Sequence, residues 1–302
     1  MHPQNPHNGR YQFDALVEAC PELAKFQIQN PRGETTIDFG DPSAVTTLNR
    51  ALLAHHYGIT SWGVPDGYLC PPIPGRVDYV LSLQELIGES DSVEKVRVLD
   101  IGTGANCIYP IVGSQLLDWS FVASEIDPKA LKNARAIVAA NQNLTDKVRF
   151  VLQKNASHIF RGVIKSSDRF TFSICNPPFF GSAEEADSEN RRKRVNLSRG
   201  KSGAKRSSRS GEEGRIRNFG GVSQELWCDG GERGFLQRMI EESREFASQV
   251  GWFTSLVSRK ENIEPLERTL ERAGVAELRQ IPMSQGQKIS RILAWRFAKD
   301  LR

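Results

Sequence analysis

The chain has 302 residues, 39% of them hydrophobic and 25% charged, with a formal net charge of +4. That balance suits a soluble globular protein with a sizeable core and excludes a disordered, collagenous or disulfide-framed chain. No apolar run approaches the roughly 18 residues that span a bilayer, so no membrane partner is expected. Five dispersed cysteines without a CxxC pair point to a reducing, cytoplasmic setting with no metal site.

The first ten residues are polar and proline-bearing and read as a mobile tail, and the opening Met1-His2-Pro3-Gln4-Asn5-Pro6-His7 lacks a signal-peptide layout. Phe13, Leu16 and Val17 have helical spacing between Tyr11 and Ala19. Asp41-Pro42 opens a second helix, with Asp as N-cap and Pro in the first turn. It carries Val45, Leu48, Leu52 and Leu53 on one face, and His55 and His56 at its end would complement the helix dipole. A proline-rich loop runs from Trp62 to Arg76. Residues 1–90 are therefore expected to form a small, mainly helical extension.

From Val93 the pattern becomes strand, turn, helix, repeated. Strands are predicted at Arg97–Ile101, Ser120–Ser124, Val148–Leu152, Phe170–Cys175, Trp252–Val257, Val275–Ile281 and Arg291–Phe297. Helices are predicted at Cys107–Leu117, Pro128–Asn141, Phe235–Val250 and Ile263–Ala273. The alternation makes residues 91–302 an α/β domain, a mostly parallel Rossmann-like sheet with helices on both faces. Its ligands are expected beyond the carboxyl ends of the strands. Gly181 to Gly221 interrupts the pattern. It begins acidic, then every charge from Arg191 to Arg209 is basic among Ser and Gly, the composition of a flexible insertion.

Chemistry concentrates at three strand ends. Asp100-Ile101-Gly102-Thr103-Gly104 is a glycine turn in which Gly102 and Gly104 allow close backbone approach to a ligand. Cys107 stands where a dinucleotide fingerprint would have a further glycine, which suits a nucleoside cofactor without pyrophosphate. Glu125 follows the second strand, where an acidic residue accepts hydrogen bonds from ribose hydroxyls, and Asp127 is placed to cap the next helix. Asn155, after the third strand, is a candidate for the cofactor's adenine side. Asn176-Pro177-Pro178-Phe179 closes the fourth strand. The Asn176 side-chain oxygen and the Pro177 carbonyl can accept both N–H groups of a planar amine, Pro178 stiffens the turn, and Phe179 offers a stacking face. Together these features have the layout of an S-adenosylmethionine-dependent methyltransferase acting on a planar amino group. Arg76, Arg191, Arg192, Lys193, Arg194, Lys288 and Arg291 are candidates for contacts to a polyanion, Arg76 also for guarding the cofactor.

Longer motifs narrow the choice. They are Tyr68-Leu69-Cys70-Pro71-Pro72-Ile73-Pro74-Gly75-Arg76, the glycine turn through Pro110, Cys175-Asn176-Pro177-Pro178-Phe179, and Gln224-Glu225-Leu226-Trp227-Cys228. In these the chain resembles the bacterial 23S ribosomal RNA adenine-N6 methyltransferases of the RlmF type, relatives of the eukaryotic small nuclear RNA adenine methyltransferase. The resemblance implies a class I methyltransferase fold, S-adenosylmethionine as cofactor and adenine N6 of 23S rRNA as acceptor. It also implies an RNA-binding contribution from residues 1–90. Arg76, Gly102, Glu125, Asn155 and Asn176 match cofactor positions, and Asn176 to Phe179 the target-base site. Other readings are methylation of a guanine N2 or a glutamine amide, or a non-catalytic RNA-binding module. With no repeated apolar face, a monomer is expected.

Overall fold

A computed structural model describes residues 1–87, 95–182, 184–185, 223–285 and 288–298. The chain opens with α1 (Phe13–Ala19), a two-stranded antiparallel ribbon of β1 (Gln27–Gln29) and β2 (Thr35–Ile37), α2 (Pro42–Tyr57) and α3 (Ile73–Gln84). The alternating part follows as β3 (Arg97–Ile101), α4 (Ile108–Leu117), β4 (Ser120–Glu125), α5 (Pro128–Ala140), α6 (Gln142–Thr145), β5 (Val148–Leu152) and β6 (Phe170–Cys175). After the insertion come α7 (Ser223–Leu226), α8 (Gly231–Ser243), β7 (Val250–Val257), α9 (Ile263–Ala273), β8 (Glu277–Gln285) and β9 (Lys288–Arg296).

The seven larger strands form one sheet in the order β5-β4-β3-β6-β7-β9-β8. Five run parallel, and β9 lies antiparallel to both its neighbours. The chain winds from β3 outward to β5 and then crosses back to β6, so the switch point lies between β3 and β6. Strands in the middle are apolar on both faces, as a sheet covered on both sides requires. Val98, Phe172 and Ile174 pack with α3, α4 and α5 on one face, while Leu99, Phe170 and Cys175 pack with α8 and α9 on the other.

Several expectations are corrected. The first ten residues are not a free tail: Asn5 and His7 are buried, the Asn5 amide donating to Pro74 O at 2.9 Å and Asp78 Oδ1 at 2.6 Å. His7 Nε2 hydrogen-bonds Tyr57 Oη at 2.8 Å. The proline-rich stretch is a loop only as far as Pro72. With Pro72 as N-cap and Pro74 in the first turn, where a missing N–H costs nothing, α3 begins at Ile73 and carries Arg76. Burial, aided by neighbouring His55, lowers the His56 pKa, which works against the cationic role expected of it at the end of α2. Helix α8 starts earlier than predicted, at Gly231, and ends at Ser243, ahead of β7. Among the described residues, no helix is long and apolar enough to cross a membrane.

Candidate active site

The glycine turn leaves β3 with Gly102 and Gly104 at φ 71° and 64°. Cys107, at the position lacking the third glycine, nevertheless adopts φ 53° and acts as N-cap of α4. This left-handed backbone at a buried non-glycine residue is uncommon. The Gly104 amide donates to Glu125 Oε2 at 2.8 Å. Glu125 Oε1 accepts the Ile126 and Asp127 amides at 2.8 and 3.0 Å. Burial raises the Glu125 pKa, against the pull of these amides. Asp127 caps α5 through Lys129 N at 2.8 Å and accepts from Tyr68 Oη at 2.6 Å.

Asp100, at the end of β3, is wholly buried. Neither its carboxylate oxygens nor the Thr103 hydroxyl has a hydrogen-bond partner of good geometry among the described residues. Burial pushes the Asp100 carboxyl up to about 7, against the nearby Thr103 hydroxyl and the Arg76 charge, with Glu125 adding to the rise.

At the end of β6, Asn176 Oδ1 is buried without a partner among the described residues. The backbone beyond it is held by the segment that returns from the insertion. Phe179 N and Phe180 N both donate to Leu226 O, at 3.0 and 2.9 Å, and Cys228 N donates to Phe180 O at 3.1 Å. Phe179 packs with Phe180, Leu226 and Trp227. The segments that flank the insertion therefore meet beside the Asn-Pro-Pro-Phe turn.

These strand ends line one cavity of about 660 Å³, within the range of small-molecule sites. Gly102, Gly104, Glu125, Asn176 and Arg76 all border it. Arg76 is buried and donates from Nη1 to Tyr109 Oη at 2.7 Å, while its Nε has no partner among the described residues. A second pocket of about 70 Å³ adjoins, bordered by Pro72, Asp78, Phe179, Ser258, Met283 and Ser290. Arg76 and Asn176 line both.

Asn155 does not border the cavity; its Oδ1 accepts Ser157 N at 2.9 Å in an Asx turn, and Ala156 and Ser157 take the lining positions. That loop is pinned by Glu242 of α8, which accepts the Ile159, Phe160 and Arg161 amides at 3.0, 2.8 and 2.6 Å. Arg291 lies on β9 opposite Pro282, next to Ser290. Arg191, Arg192, Lys193 and Arg194, and the Lys288 side chain, lie outside the described residues. Sequence reasoning assigned no role to Ile126, Trp227, Tyr109 or Glu225, all of which border the cavity. Ile126 is an apolar side chain left 41% exposed. Glu225 and Trp227 were visible only as part of a shared motif.

The set fits a zwitterionic nucleoside. Unpartnered atoms of Arg76, Thr103, Asn176 and Trp227 surround the cavity, with an acidic group for hydroxyls and an apolar side chain for a ring.

A sequence-family model described as RNA methyltransferase matches residues 1–299. The chain is 50% identical to the Ribosomal RNA large subunit methyltransferase F of Psychrobacter arcticus, over 99% of this chain and 91% of that protein. It is 51% identical to the protein of the same name from Desulfotalea psychrophila, over 99% and 96%. Among solved structures, the human METTL16 catalytic domain in complex with MAT2A 3′UTR hairpin 1 is similar, with TM-score 0.80, 29% identity and coverage of 99% and 96%. The N-terminal domain of human METTL16 in complex with SAH is similar with TM-score 0.76 and 27% identity, covering 99% of each chain.

Proposed function

The chain belongs to the RNA methyltransferase family whose model spans it, and on that premise we propose that it transfers a methyl group from S-adenosylmethionine to the exocyclic N6 of an adenine in 23S ribosomal RNA. The names of its relatives support the large-subunit RNA, and the neighbours bound to an RNA hairpin and to SAH support the acceptor class and the cofactor. One observation carries the reading: Asn176 and Arg76 border both the large cavity and the small pocket beside Phe179. A cofactor in the first and a base in the second would meet at Asn176.

S-adenosylmethionine, when bound, supplies an electrophilic methyl group on its sulfonium. Glu125 suits its ribose hydroxyls, Arg76 its carboxylate and Ile126 its adenine ring, with Gly102 and Gly104 giving backbone access. The amine of the target adenine is a poor nucleophile because its lone pair is delocalised into the ring. Asn176 Oδ1 and the Pro177 carbonyl would accept its two N–H groups and favour a more tetrahedral nitrogen, leaving its lone pair free for the methyl group that the cofactor supplies. Pro177 and Pro178 keep those acceptors in place at no cost during reaction. Phe179 stacks on the extruded base. The basic run at Arg191–Arg194 and Arg291 on β9 offset the cost of extrusion through phosphate contacts.

The protein works as a cytoplasmic monomer in this reading. Its exposed large hydrophobic residues among those described are Met1, Ile28, Phe39 and Ile126. The test is methyl transfer from labelled S-adenosylmethionine to ribosomal RNA from a strain lacking the gene, followed by nucleoside digestion. N6-methyladenosine is the expected product; label in N2-methylguanosine, or only in protein, would rule the reading out.

A further inference from the structure

Within Gln224-Glu225-Leu226-Trp227-Cys228, Glu225 has no task in the scheme above, yet it occupies a position that a structural staple does not need. From α7 its Oε2 accepts the Leu69 amide at 2.8 Å, and its Oε1 lies 3.5 Å from the Ala105 amide. A Cβ on Gly104 would come within 3.2 Å of that Oε1. One carboxylate thus spans the loop before α3 and the glycine turn after β3.

Those two segments are already joined without it. Asn106 Nδ2 donates to Leu69 O at 3.3 Å, Trp62 Nε1 to Asn106 O at 2.9 Å, and Asn133 Nδ2 to Gly63 O and Ala105 O at 2.9 and 2.7 Å. A neutral amide at position 225 could still accept the Leu69 N–H. What only a glutamate adds is charge, in surroundings that already hold Glu125 at the end of β4 and Asp127 ahead of α5. Arg76 faces the cavity from α3, Tyr68 lies on the loop, and Asp229 and Arg238 border the cavity from the segment that leads into and along α8. Carboxylates outnumber guanidiniums, and Glu225 has no cationic partner among the described residues. A partly buried carboxylate without one is costly unless a ligand supplies the cation.

We propose that Glu225 is a charge-selective positioning residue of the cofactor cavity, favouring the sulfonium of S-adenosylmethionine over the neutral thioether of S-adenosylhomocysteine. The inference rests on the methyltransferase reading. The two nucleosides differ by one methyl group and one positive charge, so a nearby carboxylate acts on their difference while every shared contact cancels. The consequence is exchange of spent for fresh cofactor. Burial pushes Glu225 up to about 7, with Glu125 and Asp127 adding to the rise against the Leu69 and Ala105 amides, so its charge varies in an accessible range. Asp100 titrates in the same range.

Calorimetry on the full chain with each nucleoside separates charge from architecture. Glu225→Gln is expected to lower the S-adenosylmethionine to S-adenosylhomocysteine affinity ratio about 10-fold. Glu225→Asp, which keeps the charge, weakens both ligands together and leaves the ratio near that of the wild type. A ratio unchanged in Glu225→Gln overturns the proposal, since a purely structural role shifts both affinities equally. If that variant does not fold, the wild-type ratio at pH 6 and pH 8 decides: it rises with pH as the carboxylate ionises, and a flat ratio overturns the proposal. A wild-type protein that binds neither nucleoside sinks the methyltransferase reading itself, a result distinct from an insensitive ratio.

Discussion

Glu125 Oε2 accepts the Gly104 amide at 2.8 Å, so the acidic group that ends β4 also fixes the shape of the turn that ends β3. The two halves of the proposed cofactor site are therefore one unit. Glu125→Ala is expected to weaken S-adenosylmethionine by about 1–3 kcal/mol, the range for charge-assisted hydrogen bonds. Calorimetry on the folded variant checks this; unchanged affinity would remove Glu125 from ribose binding.

Asp100 gives a pH prediction with a definite sign. Burial raises its folded-state pKa from 3.8 to about 7. A raised carboxyl contributes stability that is fully present below its unfolded value and is lost as pH rises through the folded one. In the ligand-free protein, Asp100→Asn should therefore raise the melting temperature more at pH 8 than at pH 5, by about 3 °C or more. Equal shifts at the two pH values would mean that the carboxyl is not held protonated by its surroundings.

The return of the chain from the insertion depends on Gly231. It has φ 57°, and a Cβ there would stand 3.1 Å from Gly181 N and 3.2 Å from the Phe180 carbonyl carbon. Gly231→Ala is expected to cost about 1–2 kcal/mol of stability through backbone strain. Because the displaced backbone adjoins Phe179, turnover should fall by more than stability alone explains. Chemical denaturation paired with single-turnover rates measures both; a variant as stable and active as wild type would show that the two backbones are not so closely opposed.

Neutralising Arg191, Arg192, Lys193 and Arg194 should weaken RNA binding and flatten its salt dependence. The log–log slope is expected to become shallower by about 0.7–0.9 for each phosphate that the protein ceases to neutralise. Cofactor affinity should not move. An unaltered slope would return this run to a solvated linker.

Much of this architecture was legible because it is local. Short apolar runs ending in Gly, Asp or Asn-Pro mark the strands, and the Asp-Pro starts of α2 and α5 cap as predicted, through Ser43 N and Lys129 N. The glycine turn, Glu125 and Asn176 were found because each ends a strand, and strand ends are where such sheets bind ligands. What escaped depends on distant partners. The N-terminal residues are ordered by Asp78 and Tyr57, and nothing in their own composition signals it. Pro71-Pro72-Ile73-Pro74 reads as a loop because prolines break helix interiors, yet they are tolerated in a first turn. Glu225 comes 100 residues after Glu125 on a helix of 4 residues, too short for any periodicity to show which way it faces.

The most direct measurement is the single-turnover methyl-transfer rate of Asn176→Ala against wild type, with adenine-containing ribosomal RNA and S-adenosylmethionine both saturating. Losing one of the two acceptors at the amine removes stabilisation needed mainly in the transition state, so the rate should fall at least about 100-fold while RNA affinity and the fold are retained. A variant that methylates adenine at a near-normal rate would contradict the assignment of Asn176 to the reacting amine.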